Sequence, residues 1–366
     1  SLPAGPLADA VLAGVAAIQQ GDLDKAEGSL RQALKLQADE PHALVLLAEV
    51  ALRRGKPAEA LSYLRTAVEK NPKSAAAQAA MGQYLRVQND AAGAAASLQK
   101  AVALDPKWTD VRLSLGDLYL SRGKTAEALA AFRGAVELEP NSGITHFSLA
   151  RALEATGDRG SAEAEYRTAI RLTPQAAGPH LSLGDLLFHN GKRDAAIAEY
   201  EAAAKLSPRS SQPYARIGMA QESQGRKDLA KQAYQKAIEL DPSHPLALNN
   251  LAWLELQSPQ RLDEALSYSQ RAVAAAPTNG QFLDTLGWVQ HARGEREQAM
   301  RTLKLALRAS PEDPEVHYHL GVVYQEVGRS AEALAEMDQA LSLKKDFPEA
   351  DDARSRREKL SAQPLR

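Results

Sequence analysis

The chain offers few groups for chemistry: eight histidines, scattered carboxylates and no cysteine in 366 residues. Without thiols it can form no disulfide, thiolate metal site, thiol nucleophile or Fe–S cluster. His317 and His319 stand two apart, and on a helix that spacing turns the side chains in different directions. A zinc site asks for ligands four apart, as in HExxH, or converging from several elements, so a structural or surface role is expected for both. No phosphate loop of the form GxxxxGK followed by Ser or Thr occurs, and neither GxGxxG nor the nucleophile elbow GxSxG is present. The pair Asp351-Asp352 falls in a charged tail and reads as a solvated face, not an acid–base couple. The expectation is a protein that is not an enzyme, with no catalytic residue, no metal site and no cofactor.

What remains for these side chains is recognition, and charge narrows the partners. Against 46 Asp and Glu stand 44 Lys and Arg, a formal charge of −2, so the basic footprint of a nucleic-acid binder is missing. No stretch reaches the roughly 18 consecutive apolar residues of a membrane span. With 44% hydrophobic and 25% charged residues, the chain should fold around a real core. Ser1 to Pro6 carry no initiator Met and no charged-then-apolar signal. The expectation is a piece of a longer chain, with any export signal or lipid anchor removed.

The elements that position these groups follow from periodicity. Pro72, Pro106, Pro140, Pro174, Pro208 and Pro242 recur every 34 residues; Pro277 follows after 35 and Pro311 after another 34. In that register 1–6 is an N-terminal extension. Ten units follow at 7–40, 41–74, 75–108, 109–142, 143–176, 177–210, 211–244, 245–279, 280–313 and 314–347, leaving a tail at 348–366. Two columns are alanine throughout, the twentieth from Ala26 through Ala128 to Ala333 and the twenty-seventh from Ala33 through Ala169 to Ala340. A third, from Gly14 to Gly321, holds only Gly or Ala. Small residues at fixed places mark where helix backbones come too close for a larger side chain.

Each unit reads as two helices. The first has apolar residues at helical spacing, such as Val111, Leu115, Leu118 and Tyr119. It stops at a fifteenth-position Gly or Asn, as at Gly21, Asn89 and Gly328, the residues that most readily enter the left-handed conformation. The second, such as Thr125 to Leu138, ends before the periodic proline. Unit eight turns instead through Ser258-Pro259-Gln260, where its extra residue sits. One hairpin cannot cover its own apolar stripe, so neighbours must stack, giving about twenty-one helices in one array. Pro348 to Leu360 reads as a polar capping helix.

Small residue, Gly, Ala and Pro at these offsets resemble the tetratricopeptide repeat over residues 7–347. The units depart from the family pattern where Trp is usual near the start of the first helix, having His146, His180 and Tyr214 there. Ala38 and Lys345 replace the proline in the end units. The resemblance implies an all-α fold, an α-solenoid coiled as a right-handed superhelix. Its first helices would line a concave groove through their second, fifth, ninth, twelfth and thirteenth positions.

The ninth column runs Val15, Glu49, Gln83, Asp117, Arg151, Asp185, Met219, Trp253, Trp288, Val322, polar from the second to the sixth unit and apolar from the seventh. Around the two Trp stand Asn249, Asn250, Asp284, His291, Tyr318 and His319 at neighbouring first-helix positions. Asn can hydrogen-bond an extended backbone, and a large aromatic supplies contact area at low entropic cost. The expected site is a groove for a partner protein or peptide, formed by these residues with Met219, unless the Trp pack between helices instead. Some family members grip a C-terminal carboxylate with Lys and Arg; here the corresponding places hold Ala215, Met219, Gln281 and Thr285, and only Asn250 matches.

Leu248-Asn249-Asn250-Leu251-Ala252-Trp253, Leu283-Asp284-Thr285-Leu286-Gly287-Trp288 and Val316-His317-Tyr318-His319-Leu320-Gly321 resemble the ending of bacterial envelope proteins of this family. These include proteins of PEP-CTERM sorting and exopolysaccharide export. The resemblance implies a scaffold in an envelope complex, in the periplasm, with the cytoplasm as the alternative. A second expectation, from another functional class, is the substrate-recognition region of a larger enzyme such as a repeat-fused glycosyltransferase.

Overall fold

Every 34-residue period folds as an antiparallel helix hairpin. The computed structural model describes residues 4–362; residues 1–3 of the expected extension and 363–366 of the tail lie outside the described residues. The first helices of the hairpins are α1 (Pro6–Gln19), α3 (Pro41–Arg53), α5 (Ala75–Val87), α7 (Thr109–Ser121) and α9 (Gly143–Ala155), then α11 (Ala177–His189), α13 (Gln212–Glu222), α15 (Pro245–Leu256), α17 (Gly280–Ala292) and α19 (Pro314–Glu326). Their partners are α2 (Leu23–Leu36), α4 (Pro57–Lys70), α6 (Ala91–Leu104), α8 (Thr125–Leu138) and α10 (Arg159–Leu172), then α12 (Arg193–Leu206), α14 (Lys227–Leu240), α16 (Leu262–Ala275), α18 (Arg296–Ala309) and α20 (Ser330–Leu343). A last helix, α21 (Ala350–Ser361), follows, and no strand occurs among the described residues. The chain divides into two compact units at Gln175/Ala176, each an α-solenoid of stacked hairpins.

The turn inside each hairpin rests on backbone freedom. Gly21 has φ 77°, and Asn89 takes the same left-handed place with φ 62°, as only these residue types do readily. The next residue then caps the second helix: Asp22 accepts from the Lys25 N–H at 3.0 Å and Asp90 from the Gly93 N–H at 2.9 Å. Such caps supply acceptors for otherwise unpaired N–H groups of the first turn.

The hairpin closes on a lock between the small-residue column and the residue sixteen places on. A Cβ at Gly218 would stand 2.4 Å from the Tyr234 ring, one at Gly184 2.5 Å from Tyr200, and one at Gly14 2.5 Å from Leu30. The large partner fills the space that the missing side chain leaves. Both alanine columns are fully buried, Ala128 and Ala169 among them. In the eighth repeat the extra residue makes a short 3-10 turn, Pro259–Arg261. Buried Glu255 receives Lys231 at 3.0 Å and Arg261 at 2.8 Å there, tying the insertion to the hairpin before it. At the C-terminus α21 starts two residues later than expected, after a turn at Pro348 and Glu349. Ala350, Ala353 and Leu360 cover Met337, Ala340 and Phe347, while Asp351, Asp352 and Glu358 stay exposed.

Candidate functional site

The histidines at the fourth position of the first helix are structural. His146, His180 and His317 each place Nδ1 on a carboxylate of the second helix nineteen residues on, Glu165 at 2.5 Å, Glu199 at 2.7 Å and Glu336 at 2.5 Å. In His146 and His317, Nε2 meets the periodic proline's carbonyl, Pro140 at 2.9 Å and Pro311 at 3.0 Å. Arg112 does the same at Pro106. These polar side chains tie turn to hairpin. The signal for it in the sequence is three fourth-position His, each with Glu at the twenty-third place.

The ninth-position polar groups are engaged within the chain. Glu49 holds Arg53 at 2.7 Å, Gln83 accepts from Arg86 at 3.0 Å, and Arg151 donates to Asp117 at 2.8 Å. Asp185 accepts from the Tyr200 hydroxyl at 2.7 Å and from Arg216 at 3.1 Å. Beside the polar column, α3 and α5 also carry an apolar hollow of about 270 Å³ with Val45, Ala48, Ala80 and Tyr84 in its wall. Leu52 is 43% and Val87 71% exposed at its edge. Both stand at the twelfth or thirteenth position, so a reading of the ninth alone missed them.

In the second unit, α15, α17 and α19 bring most of the expected site residues together. The Trp288 ring is stacked on both faces, by His319 at 4.1 Å with planes 21° apart and by His291 at 4.4 Å with planes 10° apart. Tyr318 is tilted against Trp288 at 6.4 Å, and Trp253 against His319 at 6.4 Å. Trp253 and Trp288 are both half-buried, neither free hot spots nor wholly interior. Met219 is half-buried too and packs with the Tyr234 cluster one repeat earlier.

Hydrogen bonds fix the rest. The His319 ring, 1% exposed, places Nδ1 2.9 Å from both oxygens of Asp284, while its Nε2 has no protein partner. Burial opposes the His319 charge, yet Asp284, with Glu349 and Glu315 nearby, outweighs it and raises the pKa. His291 Nε2 donates to Glu326 at 3.0 Å, which also takes Arg296 at 2.9 Å. Burial pushes the Glu326 carboxyl up, but these two donors hold it below its ordinary value. Tyr318 is buried and donates its hydroxyl to Asp352 at 2.7 Å. Asn250 donates to the Tyr234 hydroxyl at 2.9 Å and accepts from Asn249 at 3.2 Å. Asn249 is buried, with its Oδ1 unpartnered. Among the described residues no group of three or more His, Asp or Glu is arranged to hold a metal ion, and no helix is long and apolar enough to cross a membrane.

Comparison with known proteins covers almost the whole chain. Models of the tetratricopeptide repeat match residues 11–75, 45–109, 79–143, 147–211 and 216–280, and a second such model matches 256–317 and 290–356. No curated protein matches in sequence. Among solved structures, a chain of the APC/C hetero-tetramer Cut9-Hcn1 is similar with a TM-score of 0.59 at 18% identity, over 96% of this chain and 76% of its own. PilF of Pseudomonas aeruginosa has a TM-score of 0.52 at 22% identity, over 60% of this chain and 96% of its own. A tetratricopeptide repeat protein from Parabacteroides merdae has a TM-score of 0.52 at 19% identity, over 68% and 98%. At these identities the likeness is one of fold.

Proposed function

The chain belongs to the tetratricopeptide repeat family, and from that premise we propose that it is a non-catalytic scaffold binding a peptide segment of a partner protein on the first-helix face of its last four repeats. One observation carries this reading. The polar ninth positions from Glu49 to Asp185 are spent on their own chain, whereas Met219, Trp253 and Trp288 are apolar and keep part of their surface in solvent. Partly exposed aromatics rimmed by hydrogen-bonding groups are what a peptide-binding surface needs. A photo-crosslinker at Met219 should capture a partner segment in the native host, and Trp253→Ala should abolish the capture. Capture that persists in that variant would remove the site.

We place the scaffold in a bacterial envelope assembly for exopolysaccharide export or secretion, on its periplasmic side. The support is the resemblance of the phrases around Asn249, Asp284 and His317. Fractionating cells that express the complete gene tests this directly: recovery of the protein in the cytoplasm alone would sink it.

A further inference from the structure

The cover on Trp288 names the chemistry of its partner. His291, on the same helix, lies flat against the indole, 4.4 Å away with planes only 10° apart, and donates to Glu326 on α19. It is the outer of the two imidazoles: its side chain keeps 16% of its surface in solvent, while His319 on the other face keeps 1%. A flat donor therefore already occupies the accessible face of Trp288, held by a carboxylate at its edge.

We propose that His291 is an exchangeable cover, and that the partner segment displaces it with an arginine whose guanidinium stacks on Trp288 and pairs with Glu326. This rests on the reading of the last four repeats as the peptide-binding surface. The displacing group must be flat to lie on the indole, must donate N–H groups at its edge to a carboxylate, and gains further if charged. Guanidinium meets all three conditions; a lysine ammonium is not flat, and an uncharged ring forgoes the ion pair. Glu326 is one-third exposed and held below its ordinary pKa; Arg296 keeps its Oε2 at 2.9 Å, so the oxygen that changes donor is Oε1, now 3.0 Å from His291. Rotamer changes of interface side chains are common on binding, and His291 is the one that must move here.

The test uses the full chain labelled with 5-fluorotryptophan, whose three signals report Trp108, Trp253 and Trp288. The probes are two blocked peptides, acetyl-Ala-Leu-Arg-Leu-Ala-amide and its citrulline counterpart, which has the same shape without the charge. The arginine peptide should move the Trp288 signal and bind about fivefold tighter than the citrulline peptide. His291→Ala should tighten arginine binding by roughly threefold, because the cover no longer competes. Glu326→Gln should erase the difference between the peptides. Equal binding of the two peptides, or unchanged or weaker arginine binding in His291→Ala, overturns the proposal. If both peptides move Trp253 equally and spare Trp288, the peptide-binding surface stands and only the arginine assignment falls. If no tryptophan signal moves up to millimolar peptide, both fall.

Discussion

His319 and Asp284 form a buried ion pair that spans two repeats, with Nδ1 equidistant at 2.9 Å from the two carboxylate oxygens. The pair lies directly under Trp288, so the footing of the candidate surface is electrostatic as well as apolar. Removing one member leaves the other as an uncompensated buried group. Asp284→Asn should therefore cost about 3–5 kcal/mol in urea unfolding, while the double variant with His319→Gln should cost much less than the two single changes added together. Additive losses would show that the two residues act independently.

Stability should fall as pH rises above 6.5. The folded pKa of both His319 and His317 is raised above the ordinary 6.5: burial pulls each down, and Asp284 in one case and the Glu336 hydrogen bond in the other outweigh it. Their stabilisation is thus complete below 6.5 and is lost as pH rises through the folded values. His244 works in the opposite sense. Burial lowers its pKa, so its contribution is present above 6.5 and is lost as pH falls through the folded value. The urea midpoint, followed by tryptophan emission from pH 5 to 9, should show a decline above pH 6.5 that His317→Gln makes shallower. A variant profile parallel to the parent's would refute that assignment.

Because both faces of its ring are covered, Trp288 should be quenched by iodide less than Trp253 in a chain with Trp108→Phe. Trp288→Ala should remove about 3 kcal/mol of stability, since two stacked imidazoles and part of the C-terminal core lose their neighbour. Single-tryptophan variants measured by emission and thermal unfolding separate the two residues. Equal quenching would mean that the stack is open in solution.

Gly218→Ala tests the hairpin lock. Helix propensity alone favours alanine by about 1 kcal/mol, but the added Cβ meets a buried Tyr234 ring held by Glu222 and Asn250. A net loss of roughly 1–3 kcal/mol is expected, and Ala128→Leu in the first unit should cost a similar amount by overpacking. A raised thermal midpoint in Gly218→Ala would show that the propensity term wins and that the ring can move.

The hairpins were legible because their causes are local. The left-handed turn needs Gly or Asn, so Asn89 could be read as equivalent to Gly21, and both have positive φ. The insertion at Pro259 was readable for a similar reason. What was not readable depends on rotamers. His291, Trp288 and His319 belong to two helices and share a stack only because Asp284 and Glu326 turn the imidazoles, which no single column reveals. The self-pairing of Asp117 with Arg151 was hidden in the same way: the polar column was visible, but its being spent internally was not.

The Gly218–Tyr234 lock joins positions sixteen apart, whereas the His319–Asp284 and His291–Glu326 bonds reach across thirty-five. Inheritance and engineering therefore meet two different grains in one sequence. Excising or duplicating a whole 34-residue cassette among the early repeats leaves every lock with its own partner, so the chain can change length by recombination without relearning how to fold. A cut made half a cassette out of phase separates glycine from tyrosine. Cassettes nine and ten belong together, because one holds the indole with His291 and Asp284 and the other holds His319, which stacks on it, and Glu326, which fixes His291.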